Sequence, residues 1–492
     1  MSRLQQDDRS ALLRDLANMG SSGIAENENA DTFRQTFYPV AEHSRAFDPD
    51  VALVVGSRGS GKSELFRAVV REKLLPAIAR VSGGHLSRLM PQQIDWVAGH
   101  PLEREFPDMG GLRRFFSEHQ SHPDASVDLW RAYLLRVLRG HLDLTGFRSR
   151  SLFESQGADV EAIVTGLGDL GNEPVLALDR LDQTLEASQR WIIVSYDEVD
   201  VIGGYDWHAM VQSIHGLISF WANNARRWKR IRPKVFLRTD LFRRHAQSFG
   251  ADLIKLAANR AEITWSDRNL YGMLVKRLAN ASQELRRYCE DSVRFEQDVD
   301  LALIPVIGKS SEARPLIERI AGQYMGANLK KGRTFAWLLT HIRDGNGHAM
   351  PRALVRLIEK AASQELERPL ATYNRLLDPR SLRRALDDVS KEHVLEVNTH
   401  ELPWLPGVKD RLDGTGVPIP RREAERLLSH KWDDSWNKTQ NEARPPADNA
   451  SELVTQLTEI GVFRVRPDNR IDVPDLFMAG LGLSRKGGVR RR

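Results

Sequence analysis

The chain has 492 residues, of which 41% are hydrophobic and 28% are charged. This composition is typical of a folded globular protein and excludes a disordered chain, and the length is enough for about two to four domains. The formal net charge is +5, from 71 basic and 66 acidic residues. That balance does not by itself indicate a nucleic-acid partner.

No stretch of the sequence approaches the ~20 apolar residues that a membrane-spanning helix needs. The first residues, MSRLQQDDRSALLRD, lack the apolar core of a signal peptide. The single cysteine, Cys289, excludes an internal disulfide and a cysteine metal site, and the 14 histidines show no metal-site pairing. We therefore expect a cytoplasmic protein without a membrane partner.

Residues 1–48 form a polar lead-in with a short helix near Ser10–Met19. Residues 49–265 alternate strand-like apolar runs with helices, which indicates an α/β fold with a parallel sheet. The predicted strands are Val51–Val55, Ile94–Ala98, Trp191–Ser195, Lys234–Arg238 and Glu262–Trp265.

The segment VALVVGSRGSGKS at residues 51–63 matches the P-loop pattern G-x-x-x-x-G-K-[ST]. A short pattern can occur by chance, but the apolar strand before it and the apolar-periodic helix after it favour a true phosphate-binding loop. We expect the whole loop to contact a nucleotide through Gly56, Ser57, Arg58, Gly59, Ser60, Gly61, Lys62 and Ser63.

Each residue type in this loop has a physical task. Glycines let the backbone curl so that N–H groups point at phosphate oxygens, and the following helix presents its positive end to the same anion. Lys62 would neutralise the β- and γ-phosphates, and the Ser63 hydroxyl would bind Mg²⁺.

A second segment, RWIIVSYDEVD at residues 190–200, supplies acids at the end of a buried strand. Asp197 would hold the metal through water, and Glu198 would act as general base on the attacking water. Asp200 is a weaker third acid with a structural role. The alternative is an exposed acidic turn, which the upstream P-loop disfavours.

The segment KVFLRTDLF ends in Arg238, Thr239 and Asp240, beside the other two strand ends if the sheet order is as expected. A polar group there, with Arg238 as the candidate, would sense the γ-phosphate or orient the water; the alternative is an ordinary strand-end turn.

The remaining chain divides into a helical lid at residues 266–395 and a C-terminal region at 400–492. In the latter, two helices followed by the hairpin VFRVR-PDNR-IDVP have the order of a winged helix, a fold that binds DNA in some proteins and docks proteins in others. Basic clusters at Arg226–Lys234 and at the extreme C-terminus are either nucleic-acid contacts or solvated surface. The terminal cluster comprises Arg485, Lys486, Arg490, Arg491 and Arg492.

Residues 35–390 resemble AAA+ ATPases, in the branch that contains origin-recognition initiators and STAND signalling ATPases. The segments GSRGSGKS, IIVSYDEVD, LRTD and MPRAL carry the resemblance. It implies a P-loop NTPase sheet, a helical lid and a C-terminal winged helix. It also implies that Arg352, in MPRAL, reaches the γ-phosphate.

The sequence departs from that branch in two ways. Lys62 and Asp197 are 135 positions apart (197 − 62), which predicts a large helical insertion at about residues 101–189. In addition, no segment cleanly supplies an arginine finger; Arg243, Arg244 and Arg260 are candidates. Without a finger, the protein would act as a slow switch.

The leading hypothesis is an ATP- and Mg²⁺-dependent regulatory ATPase whose nucleotide state moves the lid and the winged helix. Such a switch fits a DNA-transaction or defence-type bacterial system, with a homo-oligomer or a protein partner. The alternatives are a duplex-DNA-binding module or a protein-docking scaffold in which nucleotide is only a structural ligand. The scaffold hypothesis requires exposed Trp130, Phe115 and Phe116, whereas aromatics at helical spacing usually form core.

Overall fold

The computed structural model describes residues 6–19, 29–83, 86, 93–102, 109–119, 123–143, 159–203, 207–245, 256, 258–367, 374–400, 402–430, 444–445 and 447–486. The chain forms two compact units. We call Pro39–Thr264 the sheet unit, and Met1–Tyr38 with Trp265–Arg492 the helical unit. The lead-in predicted at residues 1–48 is therefore divided between them. None of the described helices is long and apolar enough to cross a membrane.

The α-helices are listed in chain order. They are α1 (Gln6–Ala17), α2 (Ala30–Thr36), α3 (Lys62–Val70), α4 (Leu75–Ser82), α5 (Met109–Glu118), α6 (Pro123–Val137), α7 (Val160–Asp169), α8 (Glu173–Ala187), α9 (Trp207–Asn224), α10 (Thr239–His245), α11 (Asp267–Ala281), α12 (Gln283–Glu290), α13 (Arg314–Ala321), α14 (Thr334–His341), α15 (Pro351–Leu366), α16 (Pro379–His400), α17 (Leu405–Leu412), α18 (Arg421–Leu428), α19 (Ala450–Glu459) and α20 (Asp475–Met478).

The strands are likewise numbered in chain order. They are β1 (Leu53–Gly56), β2 (Ile94–His100), β3 (Trp191–Tyr196), β4 (Ile231–Arg238), β5 (Arg260–Ile263), β6 (Phe295–Asp298), β7 (Ala302–Pro305), β8 (Gly416–Val417), β9 (Ile419–Pro420), β10 (Arg464–Val465), β11 (Arg470–Asp472) and β12 (Ser484–Arg485).

The sheet unit is built on a five-stranded parallel sheet in the order β2-β3-β4-β1-β5. The predicted α/β class and all five predicted strands are confirmed, with end shifts of a few residues. Strand β4 lies between β1 and β3, so the segment with Arg238 separates the glycine-rich loop from the acidic turn. All three follow the carboxyl ends of their strands, where ligands of parallel sheets bind.

Between β2 and β3 the described residues form helices α5 to α8. Phe115, Phe116 and Trp130 are buried, at most 2% exposed, and they pack in the core with α9 and the sheet. The Trp130 indole N–H donates to the carbonyl oxygen of Ser213 at 2.8 Å. The scaffold hypothesis needed these three aromatic side chains on the surface, and that expectation is wrong.

In the helical unit, α1 packs along α15, and α15 packs against α16. Leu13 and Leu16 are fully buried, so this part of the lead-in belongs to a core. A buried ion pair joins Arg9 to Glu365 at 2.9 Å, and Ser381 bonds to the same carboxylate.

The C-terminal region contains a three-stranded sheet in the order β10-β11-β9. The predicted hairpin is present, because β10 and β11 pair antiparallel. The two helices predicted before it correspond to α18 and α19, and Gly461 follows α19 with a left-handed φ of 82°. That conformation favours glycine at a helix end.

Candidate functional site

The glycine-rich loop joins β1 to α3 through a tight turn. Gly59 and Gly61 adopt positive φ angles of 67° and 95°, which a side chain would disfavour. A Cβ atom on Gly56 would lie 2.4 Å from the hydroxyl of Ser60. A larger residue would strain the backbone at Gly59 or Gly61 and would collide with Ser60 at Gly56. The path of the loop therefore depends on these three glycines.

Lys62 begins α3 and folds its ammonium group back over the loop. The Nζ atom donates to the carbonyl oxygens of Gly56 at 3.0 Å and of Ser57 at 3.1 Å. Burial lowers the pKa of Lys62, while the nearby carboxylates of Asp197 and Asp200 act in the opposite direction. The loop thus positions a cation directly above its own backbone.

The acidic turn after β3 contacts the first turn of α3. Ser63 interacts with the Asp197 carboxylate and opposes the rise in its pKa, and the Asp197 amide donates to the His100 carbonyl at 2.8 Å. Asp197 is 4% exposed. Burial raises its pKa to about 6, although the Ser63 bond and the charge of Lys62 partly oppose that rise. The structure thus brings together a hydroxyl, a carboxylate and an ammonium group from two distant motifs.

Glu198 has an unusual backbone conformation. Its φ of 57° and ψ of 21° are left-handed, and it opens a short 3₁₀ turn at Val199–Val201. A non-glycine residue in that region costs roughly 1–3 kcal/mol and persists only where the surroundings enforce it. Such strain is concentrated at functional sites, as expected if Glu198 acts there.

Arg238 is paired in register with Gly56, the first loop residue. Its guanidinium makes two hydrogen bonds to Asp240, at 2.7 and 3.1 Å, and lies 3.7 Å from Asp200. Burial alone would lower the pKa of Arg238, but these carboxylates outweigh burial and raise it. Asp200 and Asp240 thus hold the Arg238 guanidinium, and the structural role predicted for Asp200 stays a prediction.

The other predicted arginines occupy different surroundings. Arg352 lies in the first turn of α15, its side chain 40% exposed and 3.8 Å from Glu396, and its γ-phosphate role stays a prediction. Arg260 lies at the start of β5 with its guanidinium 5.1 Å from the ring centre of Phe242. The side chains of Arg243 and Arg244 are outside the described residues.

The basic cluster at Arg226–Lys234 is largely engaged within the sheet unit. Arg227 pairs with Asp179 at 2.6 Å, and Lys229 pairs with Glu186 at 3.0 Å. Lys234 is fully buried and donates to backbone carbonyls of Asp48 and Val51. These contacts favour a structural role for this cluster.

The C-terminal cluster contributes to a groove in the helical unit with a volume of 890 Å³. Three arginines surround one buried carboxylate there: Asp472 is 2.6 Å from Arg464, 3.8 Å from Arg466, and hydrogen-bonded to Arg485. Arg490, Arg491 and Arg492 lie outside the described residues. The charged residues lining the groove are Arg343, Arg464, Arg466, Arg485, Lys486, Asp344, Asp472 and Asp475.

Within the described part of the chain, no group of three or more histidine, cysteine, aspartate or glutamate residues is arranged to hold a metal. The described site thus consists of a glycine-rich loop, a lysine and acidic side chains, which follow the carboxyl ends of strands in a parallel α/β sheet.

No protein-family model matches the chain, and no curated protein matches it. Among solved structures, the chain is similar to the ORC2 protein of Aeropyrum pernix, determined as ADPNP–ADP complexes. The match has 14% sequence identity and a TM-score of 0.36, and covers 98% of this chain and 92% of that chain. At this level of similarity an activity does not transfer, so the proposed function depends on the chain's own residues.

Proposed function

We propose that the sheet unit binds ATP with Mg²⁺ and hydrolyses it, and that the protein is a nucleotide-driven regulatory ATPase. The observation that carries this proposal is that the glycine loop after β1 and the acidic turn after β3 follow strands of one parallel sheet, with the buried Asp197 carboxylate interacting with Ser63 and Lys62. Two segments 135 positions apart (197 − 62) meet there with the groups that a metal-bound triphosphate requires.

The loop residues would bind the phosphates. Lys62 already donates to two loop carbonyls, and a phosphate placed in the loop would accept those hydrogen bonds instead. Successive N–H groups and the start of α3 would supply the remaining donors. The positive φ of Gly59 and Gly61 supports this reading, because it is the curvature that such a cradle needs.

Ser63 and Asp197 fit a Mg²⁺ ion, since a hydroxyl and a buried carboxylate supply the oxygen ligands that the ion prefers and the two side chains already interact. When bound, the ion would supply charge neutralisation for the phosphates. Glu198 would accept the proton of a water molecule as that water attacks the γ-phosphorus and ADP leaves. Arg238, held by two carboxylates, would orient the site.

The test is steady-state ATP hydrolysis together with nucleotide affinity, measured on the full chain. We expect Lys62→Ala to lose affinity and hydrolysis together. Glu198→Gln should keep ATP affinity and lose hydrolysis by about 100-fold or more, the usual contribution of a general base.

Lys229→Ala and Glu186→Gln are matched controls. The two residues form an exposed ion pair. They precede strands β4 and β3, whereas the glycine loop follows the carboxyl end of β1. Equal hydrolysis rates in the wild type and in all four variants would overturn the proposal.

A second candidate function is binding of duplex DNA through the C-terminal region, which we propose to be a winged helix. The groove beside the β10–β11 hairpin has five basic and three acidic lining residues, which favours an anionic partner. By contrast, the exposed residues of α19 are Ser451, Glu452, Thr455 and Glu459. The hairpin, rather than α19, is therefore the proposed contact.

Arg466→Ala and Lys486→Ala should weaken binding to a mixed-sequence duplex and reduce the slope of affinity against salt. Arg422→Ala, on the exposed face of α18, is the control. Unchanged affinity in the first two variants would exclude the groove as the contact.

A further inference from the structure

We propose that the helical insertion sets the conformation of the catalytic turn, and that Arg113 on α5 is the positioning residue for Glu198. This inference rests on the proposed function, because it assigns Glu198 its catalytic task. The evidence is a set of contacts through which α5 and α6 hold the chain on both sides of Glu198.

The turn itself is strained and needs external support. The backbone of Glu198 is left-handed. Its carbonyl oxygen accepts a hydrogen bond from the Val201 amide at 2.9 Å, which closes a short 3₁₀ turn. Such a conformation relaxes unless its neighbours are fixed. The segment before it ends at Tyr196, and the segment after it continues to Ile202.

Helix α6 fixes the segment before the turn. The Trp130 ring lies edge-on to Tyr196, with ring centres 5.7 Å apart. Trp130 also donates to the carbonyl of Ser213 on α9. The Ser213 hydroxyl lies 2.9 Å from the Met210 carbonyl and 3.3 Å from the carbonyl of Val199, on the other side of Glu198. Trp130, Tyr196 and Ser213 are buried, so these contacts hold core positions on both sides of Glu198.

Helix α5 contacts the segment after the turn through the Arg113 side chain. The Arg113 guanidinium donates from Nε to the Ile202 carbonyl at 3.2 Å and from Nη2 to the Val201 carbonyl at 3.5 Å. Residue 113 itself is exposed. A planar guanidinium presents two donors in fixed relative positions, whereas a lysine ammonium is a point charge on a flexible stem.

The consequence is a mechanical link between the insertion and catalysis. Movement of α5 would release the Val201 and Ile202 carbonyls and let Glu198 relax, without moving the glycine loop or Lys62. The link therefore acts on the rate of the chemical step and leaves nucleotide affinity unchanged.

The test compares Arg113→Ala and Arg113→Lys with Arg114→Ala, a matched control that removes the same charge from the next exposed position of α5. For full-length protein, we expect Arg113→Ala to lower kcat by about 10-fold or more, since small misplacements of reacting groups cost up to about 100-fold. ATP affinity should stay within about twofold, Arg113→Lys should recover only part of kcat, and Arg114→Ala should match the wild type.

Hydrogen exchange of the Val201 and Ile202 amides provides a readout that does not depend on hydrolysis. Faster exchange in Arg113→Ala, but not in Arg114→Ala, supports the positioning role even if the wild type does not hydrolyse ATP, an outcome that would refute the proposed function alone. Wild-type kcat in Arg113→Ala, parallel loss of kcat and affinity, or unchanged exchange would each overturn the inference.

Discussion

The sheet unit and the helical unit each contain a cluster of arginines and aspartates. The central residue of the first cluster is an arginine, and that of the second is an aspartate. At the sheet edge, one arginine, Arg238, is held by two carboxylates, Asp240 and Asp200. In the groove, one carboxylate, Asp472, is held by three arginines. In both, the central group is more buried than its partners. The comparison indicates that the stability lost when an ion pair is broken depends on which partner is removed.

The largest expected effect follows from removing the centre of the groove cluster. Asp472 is 1% exposed, so Asp472→Asn would leave three guanidinium groups facing one another and should destabilise the helical unit by about 3 kcal/mol or more. Hydrogen exchange of β11 peptides would measure this loss separately from the sheet unit. Asp410→Asn, exposed on α17, is the control, and a similar loss in both variants would contradict the expectation.

The same carboxylate fixes a pH dependence. Burial alone would raise the pKa of Asp472, but the hydrogen bond from Arg464 and the charge of Arg485 outweigh burial and lower it. An acid with a lowered folded pKa stabilises the protein above its unfolded pKa of 3.8, and this contribution is lost as pH falls through the folded pKa. The stability difference between wild type and Asp472→Asn should therefore shrink under strong acid.

Removing the centre of the other cluster should cost slightly less, because the Arg238 side chain is 13% exposed. Arg238→Gln leaves Asp240 and Asp200 without their cation, and we expect a loss of about 2–3 kcal/mol in the sheet unit. Exchange of β4 peptides would measure it. Arg232→Gln, on the same strand, is the comparison, and equal losses would show that Arg238 is not a central group.

The charged Asp197 carboxylate should affect stability in the opposite direction from Asp472. Its pKa is raised from 3.8 to about 6, so its charged form destabilises the folded sheet unit above about pH 6, and the penalty disappears as pH falls below 3.8. Asp197→Asn should therefore be about 2 kcal/mol more stable than wild type at pH 8, allowing for the weakened Ser63 bond. It should also lose Mg²⁺-dependent hydrolysis.

Thermal or urea unfolding between pH 4 and 8 checks this prediction. Asp128→Asn is the control, because that side chain is 44% exposed and makes only a surface pair with Arg131. The Asp197→Asn advantage must decline as the pH is lowered. A variant less stable than wild type at pH 8 would mean that Asp197 is a structural acid rather than one held in strain for a ligand.

Local pattern was sufficient to predict the sheet and the glycine loop. Apolar and β-branched runs predicted β1 and β3, and the glycine-rich turn after β1 is where Gly59 and Gly61 have positive φ angles. The contacts that shape the site were not predictable, because their partners are distant. Arg113 reaches a carbonyl 89 positions away, and Arg238 reaches Asp200 only because β4 lies next to β3. A single sequence contains no signal for such pairings.

The smallest effect should come from the rim of the groove cluster. Arg464 pairs with Asp472 at 2.6 Å, but its side chain is 50% exposed, so water and salt screen the pair. Arg464→Ala should therefore cost about 0.5 kcal/mol, and less in 1 M salt, since Arg485 still holds the same carboxylate. Exchange of β11 peptides at two salt concentrations measures this cost. If Arg464→Ala cost as much as Asp472→Asn, the stability of the cluster would reside in every pair equally, and the distinction between centre and rim would be wrong.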